Sequence, residues 1–344
     1  MSKKSRLLVV DDSRMMRNVI SELFGADDDL EIMATAESGF EALEIIKSDS
    51  PDVVTLDINM PEMDGLTTLK HLMIHTPTPT VMLSSLSRDG AKITFDALRY
   101  GAVDFITKPS HLDPHKMQEQ ADTMIHTVKS AASVKMDIMH YIRPEFDLDQ
   151  NKNDIEYKFV VAIGTAEGGY SSLLNLLPRL SRNNPLTYLV ALYASSRYID
   201  SFINYLNQHS AITVKRAKYG DILQAGTCYI CSGDEYMTLH DNAVEQILHI
   251  HPAPFSSQKS AINRLMFSLA DIMDDRGIGI VLSGAGDDGH EGLEEVKRMG
   301  GQVMVQDPKN CLYKEMSESV LAHCEVDGVF SSAEIAANLN AYYL

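Results

Sequence analysis

The chain has 344 residues, 44% of them hydrophobic, and a formal net charge of −18. This length suits two domains of ordinary size, and the acidic balance argues against nucleic acid as the main partner, because phosphate contacts need clustered Lys and Arg. No apolar run reaches a membrane span or the core of a signal peptide, and the four cysteines suit reduced thiols, so we expect a cytoplasmic protein without membrane insertion.

Four apolar segments in the first third predict buried parallel strands that each end in polar residues, namely LLVVDDS, VVTLDINMPEMDG, VMLSS and DFITKP. The carboxyl ends of parallel strands meet at one edge of a sheet, where ligands bind. We therefore expect one polar pocket formed by Asp11, Asp12, Asp57, Ser84 and Lys108. Crowded carboxylates repel one another, and a divalent cation relieves that repulsion. The alternative, that Asp11 and Asp12 merely cap a helix beginning near Ser13, explains the pair but not the other residues.

These segments resemble, in order, the receiver domain of two-component response regulators. The resemblance implies a flavodoxin-like, doubly wound parallel α/β domain over residues 1–129 with Asp57 as the phosphoryl acceptor. It also implies a Mg²⁺ site whose ligands are Asp11 through water, Asp12, Asp57 and the backbone carbonyl of Asn59. The residues that would contact or respond to the phosphoryl group are Ser84, Lys108 and Phe105.

Residues 130–158 lose the apolar period and contain a Pro and many charges, which predicts a linker. A second α/β pattern then covers residues 159–344. Strands are predicted at FVVAIG, TYLVALY, TCYIC, GIGIVLS and GQVMVQ, and helices at SSLLNLLPRL, RYIDSFINYLNQ, SAINRLMFSLADIMDD and EGLEEVKRMG. Strands that alternate with helices predict a mostly parallel sheet.

The second half resembles the catalytic domain of the chemotaxis protein-glutamate methylesterase family, called CheB. The matching strings are AIGTAEGG, YGDILQAGTCYICSGDEYM, GIGIVLSGAGDDGHEGLEEVKRMGG and EMSESVLAHCEVDGVF. With the receiver strings DVVTLDINMPEMDGL and GAVDFITKPS, the resemblance covers nearly the whole chain. It implies removal of methyl groups from chemoreceptor glutamates, often with deamidation of receptor glutamines, under control of the receiver.

The chain departs from this family at two of three catalytic positions. The family's serine nucleophile falls on Ala166, its histidine base falls on Tyr193, and its aspartate is retained as Asp288. Alanine has no nucleophilic atom, and tyrosine, with a pKa of about 10, is a poor base at neutral pH. We therefore predict that the chain is not an enzyme and that its second domain acts by phosphorylation-controlled protein binding. The partners implied by the resemblance are a histidine kinase of a chemosensory array and chemoreceptor helices or other chemotaxis proteins.

Two other functions stay open. The chain is alternatively an active methylesterase and glutamine deamidase with a rearranged site, or a phosphate sink that drains the kinase. Residues near the altered positions that a rearranged site would use are Thr165, Ser195, Ser196 and His290. For Asp288 and His290 we favour capping of the helix that begins near Glu291 over catalysis.

Three shorter motifs favour ordinary structural roles. The G-A-G-D-D-G string at residues 284–289 matches a dinucleotide-binding pattern, but its two aspartates would repel a pyrophosphate. Cys228 and Cys231 lie three apart on one predicted strand and so point to opposite faces. His249 and His251 share one strand face, which alone does not specify a metal. No cofactor besides Mg²⁺ is therefore predicted.

Overall fold

A computed structural model of the chain describes residues 4–84, 88–108, 114–134, 136, 156–166, 168–193, 196–232, 235–242, 245–252 and 260–342. The chain divides into two compact units, Met1–Ile142 and Arg143–Leu344. Most of the predicted linker lies outside the described residues. Among the helices that are described, none combines the length and the apolar character needed to cross a bilayer.

The first unit is a five-stranded parallel sheet in the order β2-β1-β3-β4-β5. Its strands are β1 (Ser5–Val10), β2 (Leu30–Ala36), β3 (Val53–Asp57), β4 (Thr80–Ser84) and β5 (Asp104–Thr107). Its helices are α1 (Arg14–Gly25), α2 (Gly39–Ser48), α3 (Gly65–His75), α4 (Arg88–Arg99) and α5 (Pro114–Ala132). This order confirms the predicted flavodoxin-like fold, in which the chain reverses direction across the sheet between β1 and β3.

Local sequence explains where these elements begin. The first three helices start at side-chain caps, because Ser13, Ser38 and Asp64 each accept a hydrogen bond from a backbone N–H in the first turn. Strand β3 is buried along its whole length, which accounts for its unbroken apolar run. The edge strand β2 buries only Leu30 and Ala36, so its LEIMATA sequence lacks such a run and was not predicted as a strand.

The second unit contains a seven-stranded, wholly parallel sheet in the order β14-β13-β12-β6-β7-β9-β8 and a separate antiparallel pair, β10 and β11. The strands are β6 (Phe159–Thr165), β7 (Leu186–Leu192), β8 (Thr213–Arg216), β9 (Thr227–Ser232), β10 (Glu235–Asp241), β11 (Gln246–Pro252), β12 (Gly277–Val281), β13 (Gln302–Gln306) and β14 (Gly328–Phe330). The helices are α6 (Gly169–Leu176), α7 (Ser196–Gln208), α8 (Ala261–Met273), α9 (His290–Arg298), α10 (Glu315–His323) and α11 (Ser332–Ala341). The predicted α/β class with a mostly parallel sheet is confirmed.

Two of the differences from the predicted elements have a clear structural cause. The helix predicted over SSLLNLLPRL ends at Leu176, and Leu177–Arg179 form a 3₁₀ turn that contains Pro178, since proline cannot donate the hydrogen bond that continues an α-helix. The hairpin of β10 and β11 packs Met237, Leu239 and Leu248 into the core, an arrangement that only the tertiary fold determines.

Candidate functional site

The polar residues predicted for the first unit lie at the carboxyl edge of its sheet, beside the neighbouring strands β1 and β3, between which the strand order reverses. Asp11 follows β1 directly, Asp57 ends β3, Ser84 ends β4, and Lys108 follows β5. Asp11 and Asp57 are buried, with 0% and 2% of their residue surface exposed, whereas Asp12 is exposed. The fold therefore brings together residues that lie up to a hundred positions apart in the chain.

Lys108 joins the two buried carboxylates. Its Nζ lies 2.6 Å from Asp11 Oδ2 and 2.7 Å from Asp57 Oδ2. The other oxygen of Asp11 accepts the backbone N–H of Ser13 at 2.9 Å, and Ser13 itself caps α1. The capping alternative for the Asp11–Asp12 pair therefore does not describe this pocket, because the cap is Ser13 and Asp11 is paired with a lysine.

Burial and pairing set the protonation of this pocket. Burial raises the pKa of Asp57 above its ordinary value, and the hydrogen bond and charge of Lys108 only partly oppose this effect. Burial of Lys108 disfavours its charge, but Asp11 and Asp57 outweigh it, so the pKa of Lys108 is raised. At neutral pH Lys108 is therefore a cation, and it lies between the carboxyl groups of Asp11 and Asp57.

The pocket has the donor set of a hard divalent cation. Carboxylate oxygens of Asp11, Asp12 and Asp57 lie within 4.8 Å of one another, and across the ranges described above no other group of three or more His, Cys, Asp or Glu side chains converges in this way. Lys108 supplies one cationic group among these three carboxyl groups, and oxygen-only ligands suit Mg²⁺. The backbone N–H of Asn59 donates to Asp57 Oδ1 at 3.2 Å, which fixes the carboxylate from the loop side.

Two residues that contact this pocket were not predicted from the sequence. Arg17, on the first turn of α1, donates through Nη1 to the backbone carbonyl oxygens of Asp11 and Asp12, at 2.6 and 3.1 Å. Thr94, on α4, is hydrogen-bonded to Ser84, with 3.0 Å between Oγ1 and Oγ. Both belong to amphipathic helices, where sequence alone gives a polar residue no particular partner.

Gly65 lets α3 approach the end of β3. A Cβ at this position would lie 2.0 Å from the backbone oxygen of Asp57, and the Gly65 N–H donates to the Ile58 carbonyl at 2.9 Å. We expect Gly65→Ala to destabilise the first unit by about 1–3 kcal/mol, since the backbone has to move to remove the overlap. Hydrogen exchange of the β3 amides, followed by mass spectrometry, measures this unit by itself.

Gly25→Ala is the matched control for that substitution. A Cβ on Gly25 meets only Ile32, at 3.9 Å, so its exchange rates should stay near those of the unmodified chain. Equal β3 exchange in both variants would contradict the role given to Gly65.

In the second unit the altered positions lie where the seven-stranded sheet reverses, between β6 and β12. Ala166 follows β6, and its backbone N–H donates to the carbonyl of Ser283 at 3.2 Å. Its side chain is 6% exposed and belongs to the hydrophobic core with Met316. A Cβ on Gly284 would lie 2.8 Å from Ala166 Cβ and 2.2 Å from Met316 Sδ, so only glycine fits between them. Residue 166 is thus closed in by apolar groups.

Tyr193 forms a hydrogen-bonded pair with Asp288. Its hydroxyl donates to Asp288 Oδ2 at 2.7 Å and accepts the backbone N–H of Ala261 at 2.9 Å. Burial raises the pKa of Tyr193 above its ordinary value, and the negative charge of Asp288 raises it further. The phenol therefore stays protonated at neutral pH and serves as a donor rather than as a base.

Asp288 caps α8 rather than the helix that follows it in sequence. Its two carboxylate oxygens accept the backbone N–H groups of Ile262 and Asn263, at 2.9 and 3.1 Å. Asn263, on α8, in turn caps α9, because its Oδ1 accepts the N–H groups of Gly289 and Gly292 at the start of α9, at 3.1 and 2.8 Å. We predicted that Asp288 and His290 would cap the helix near Glu291, but the side chain that accepts from the first N–H groups of α9 is Asn263, and Asp288 caps α8.

This arrangement also accounts for the glycine-rich string. Gly289 has a φ of 110°, a conformation that favours glycine, and a Cβ there would lie 2.9 Å from Ile262. Gly284 is constrained by Ala166 and Met316, as described above. Packing and backbone conformation therefore account for Gly284 and Gly289 in this pattern.

The residues considered for a rearranged site differ in what they contact. The hydroxyl of Thr165 is buried and donates to the Ser283 carbonyl at 2.7 Å. His290 Nδ1 lies 2.7 Å from the Asp287 carbonyl, to which it donates, and 3.4 Å from Ser319 Oγ. Ser195 and the side chain of Ser196 lie outside the described residues. Ser319 beside His290 is thus a hydroxyl–imidazole pair next to the loop of Asp288 that the sequence did not indicate.

The cysteine and histidine motifs have ordinary surroundings. Cys228 and Cys231 are both buried in β9, and burial raises the pKa of both thiols, that of Cys231 to about 12. The ring of His249 stacks on His240, with 3.8 Å between centroids. The thiols are therefore protonated, and the imidazoles form a stack on the β10–β11 pair.

Comparisons with known proteins agree over both units. A family model described as CheB methylesterase matches residues 161–339, and one described as response regulator receiver domain matches residues 7–121. A protein-glutamate methylesterase/protein-glutamine glutaminase of Pyrococcus abyssi is 34% identical over 332 residues, covering 95% of this chain and 90% of that protein. One from Lawsonia intracellularis is 32% identical over 347 residues, covering 96% and 97%. The crystal structure of the Thermotoga maritima CheB methylesterase catalytic domain is 26% identical with a TM-score of 0.51, over 53% of this chain and 97% of that one.

These relatives overturn one prediction. Proteins named protein-glutamate methylesterase match this chain over nearly its full length at 32–34% identity, so the prediction that the chain is not an enzyme is wrong. That prediction depended on positions 166 and 193, which do not determine what the other residues of the domain do. Any hydrolysis must draw on groups other than the side chain of Ala166, which offers no nucleophile. With a receiver domain followed by a methylesterase domain, the chain belongs to the CheB methylesterase family.

Proposed function

We propose that this protein is a phosphorylation-controlled hydrolase of the chemosensory type. Phosphoryl transfer to Asp57 would regulate the second domain, which would hydrolyse glutamate methyl esters and glutamine amides of chemoreceptor proteins. The observation that carries the proposal is Asp57 itself, a buried carboxylate at the end of β3, 2.7 Å from Lys108 Nζ and beside Asp11 and Asp12. The names of the full-length relatives support the output.

The residues of the pocket suit transfer of a phosphoryl group. A carboxylate oxygen of Asp57 forms the new bond to phosphorus, and the bond to the leaving group breaks with its electron pair on the donor. Lys108 pairs with the phosphoryl oxygens, and Ser84 supplies a hydroxyl donor. Asp12 and Asp57, with Asp11 through water and the carbonyl of Asn59, would hold Mg²⁺, which neutralises charge on the transferring oxygens.

The proposed partners rest on the family to which the chain belongs. The phosphoryl donor in the cell would be a histidine kinase of a chemosensory array, and the substrate would be presented on the cytoplasmic helices of a chemoreceptor. For the hydrolytic step, Ser319 and His290 are the described pair that a rearranged site would use, provided that Nδ1 gives up its bond to the Asp287 carbonyl.

A second output, phosphorylation-controlled binding of a partner protein by the same domain, is favoured by one observation. Ala166 is enclosed by Gly284 and Met316, and the Tyr193 hydroxyl is engaged with Asp288, so these two positions offer no nucleophile and no base. Ser319→Ala separates the two outputs, because it would remove methanol release from methylated receptor but would leave receptor binding intact.

The switch is tested with acetyl phosphate and Mg²⁺. We expect the unmodified chain to gain one acid-labile phosphate and to release methanol from methylated receptor faster when phosphorylated. Asp57→Asn should gain none and should not respond, because the amide oxygen is a poor nucleophile. Radiolabel incorporation and methanol release measure the two effects.

Asp28→Asn, an exposed position in the same unit, is the control and should behave as the unmodified chain. Equal labelling of Asp57→Asn and the unmodified chain would exclude Asp57 as the acceptor. If signalling persists after removal of the second domain, the phosphate-sink alternative replaces the proposal.

A further inference from the structure

We propose that Thr94 is a positioning residue for phosphoryl transfer, which holds the Ser84 hydroxyl on α4 until a phosphoryl group is present on Asp57. This inference rests on the proposed function of Asp57 and adds a residue that regulates it. The two hydroxyl oxygens are 3.0 Å apart, and each side chain is 1% exposed. Because buried hydroxyls are rarely left without partners, this contact contributes to where Ser84 points.

The contact competes with the phosphoryl group. Strands β3 and β4 are paired next to the pocket, with Asp57 opposite Leu83, so Ser84 follows immediately at the same edge. A serine hydroxyl carries one proton, and a charged phosphoryl oxygen is a stronger acceptor than a neutral hydroxyl. Either hydroxyl can be the donor in this contact, and when Ser84 is the donor, its bond to the phosphoryl group is gained at the expense of its bond to Thr94.

The same helix contacts the second switch position. Phe95 follows Thr94 on α4, and its ring packs edge-on against Phe105, with 6.3 Å between centroids. Two consecutive residues of α4 thus contact Ser84 and Phe105.

Removing Thr94 should favour the phosphorylated arrangement. An interaction that is made only in the unphosphorylated state lowers the affinity for the phosphoryl group by the free energy it contributes. A buried hydrogen bond of this kind corresponds to about a two- to tenfold change in affinity. Thr94→Val keeps the shape and removes the hydroxyl, whereas Thr94→Ser keeps the hydroxyl.

The experiment is a titration of the full chain with beryllium fluoride, a phosphoryl mimic, in the presence of Mg²⁺, measured by calorimetry. We expect Thr94→Val and Thr94→Ala to half-saturate at about two- to tenfold lower concentrations than the unmodified chain. Thr94→Ser should restore the original value. In a Ser84→Ala background, Thr94→Val should have no effect, because the residue acts through Ser84.

Three results would overturn the inference: unchanged or weaker binding by Thr94→Val, failure of Thr94→Ser to restore the value, or an equal effect of Thr94→Val with and without Ser84. Failure of the proposed function would give a different result. If Asp57 does not accept a phosphoryl group, the unmodified chain and Asp57→Asn would bind the mimic equally poorly, and the inference about Thr94 would fail with it.

Discussion

Replacing Ala166 by Ser and Tyr193 by His in one chain is expected to raise methanol release from methylated receptor by about 10²-fold, the lower end of what a positioned general base contributes. The present Tyr193 hydroxyl already lies 2.7 Å from Asp288 Oδ2, so a histidine there would find a carboxylate that orients its ring. Residue 166 follows β6 at the point where the sheet reverses. The substitutions would therefore place a hydroxyl and a base on an existing framework.

The single variants Ala166→Ser and Tyr193→His are the controls. A serine without a base, or a base without a serine, should gain far less than the pair, because such residues act as a unit. A double variant no faster than the unmodified chain would show that the enclosure of residue 166 by Gly284 and Met316 leaves no room for reaction. A double variant slower than the unmodified chain would show that Tyr193 itself takes part in hydrolysis.

The sequence predicted the structure best where a local pattern is typical of a single kind of element. Continuous apolar runs such as that of β3 predict buried parallel strands, and polar residues at their ends predict the edge at which Asp57 and Lys108 meet. Ser38 and Asp64 belong to residue types that favour helix starts, and they cap α2 and α3. These features depend on local pattern and on one rule of sheet topology.

The contacts that were not predicted from the sequence depend on residues that only the tertiary fold brings together. Nothing in the α4 sequence indicates that Thr94 would meet Ser84, since the pairing is set by how the helix rotates onto the sheet. Likewise Asn263 and Asp288 cap each other's helices across 25 residues of chain, a geometry without a sequence signature. The function of the second domain was judged from Ala166 and Tyr193, and that judgement exceeded what two positions determine.

Asp288→Ala is expected to destabilise the second unit by about 2–4 kcal/mol. The carboxylate accepts the N–H groups of Ile262 and Asn263 and the hydroxyl of Tyr193, so its loss removes a helix cap and leaves buried donors without their acceptor. Loss of a cap costs about 0.5–2 kcal/mol, and each buried polar group left unpaired adds about 1–3 kcal/mol. Calorimetry of the full chain should show the transition of the second unit lowered by about 5–10 °C.

Asp287→Ala separates this effect from a general loss of charge in the loop. Asp287 is the exposed neighbour of Asp288, and the bond from His290 goes to its backbone carbonyl, which the substitution retains. Its melting temperature should therefore stay close to that of the unmodified chain. If both variants melt together, the capping role of Asp288 is wrong. If Asp288→Ala leaves the melting temperature unchanged but removes methanol release, the carboxylate serves hydrolysis, and the stability of α8 has another source.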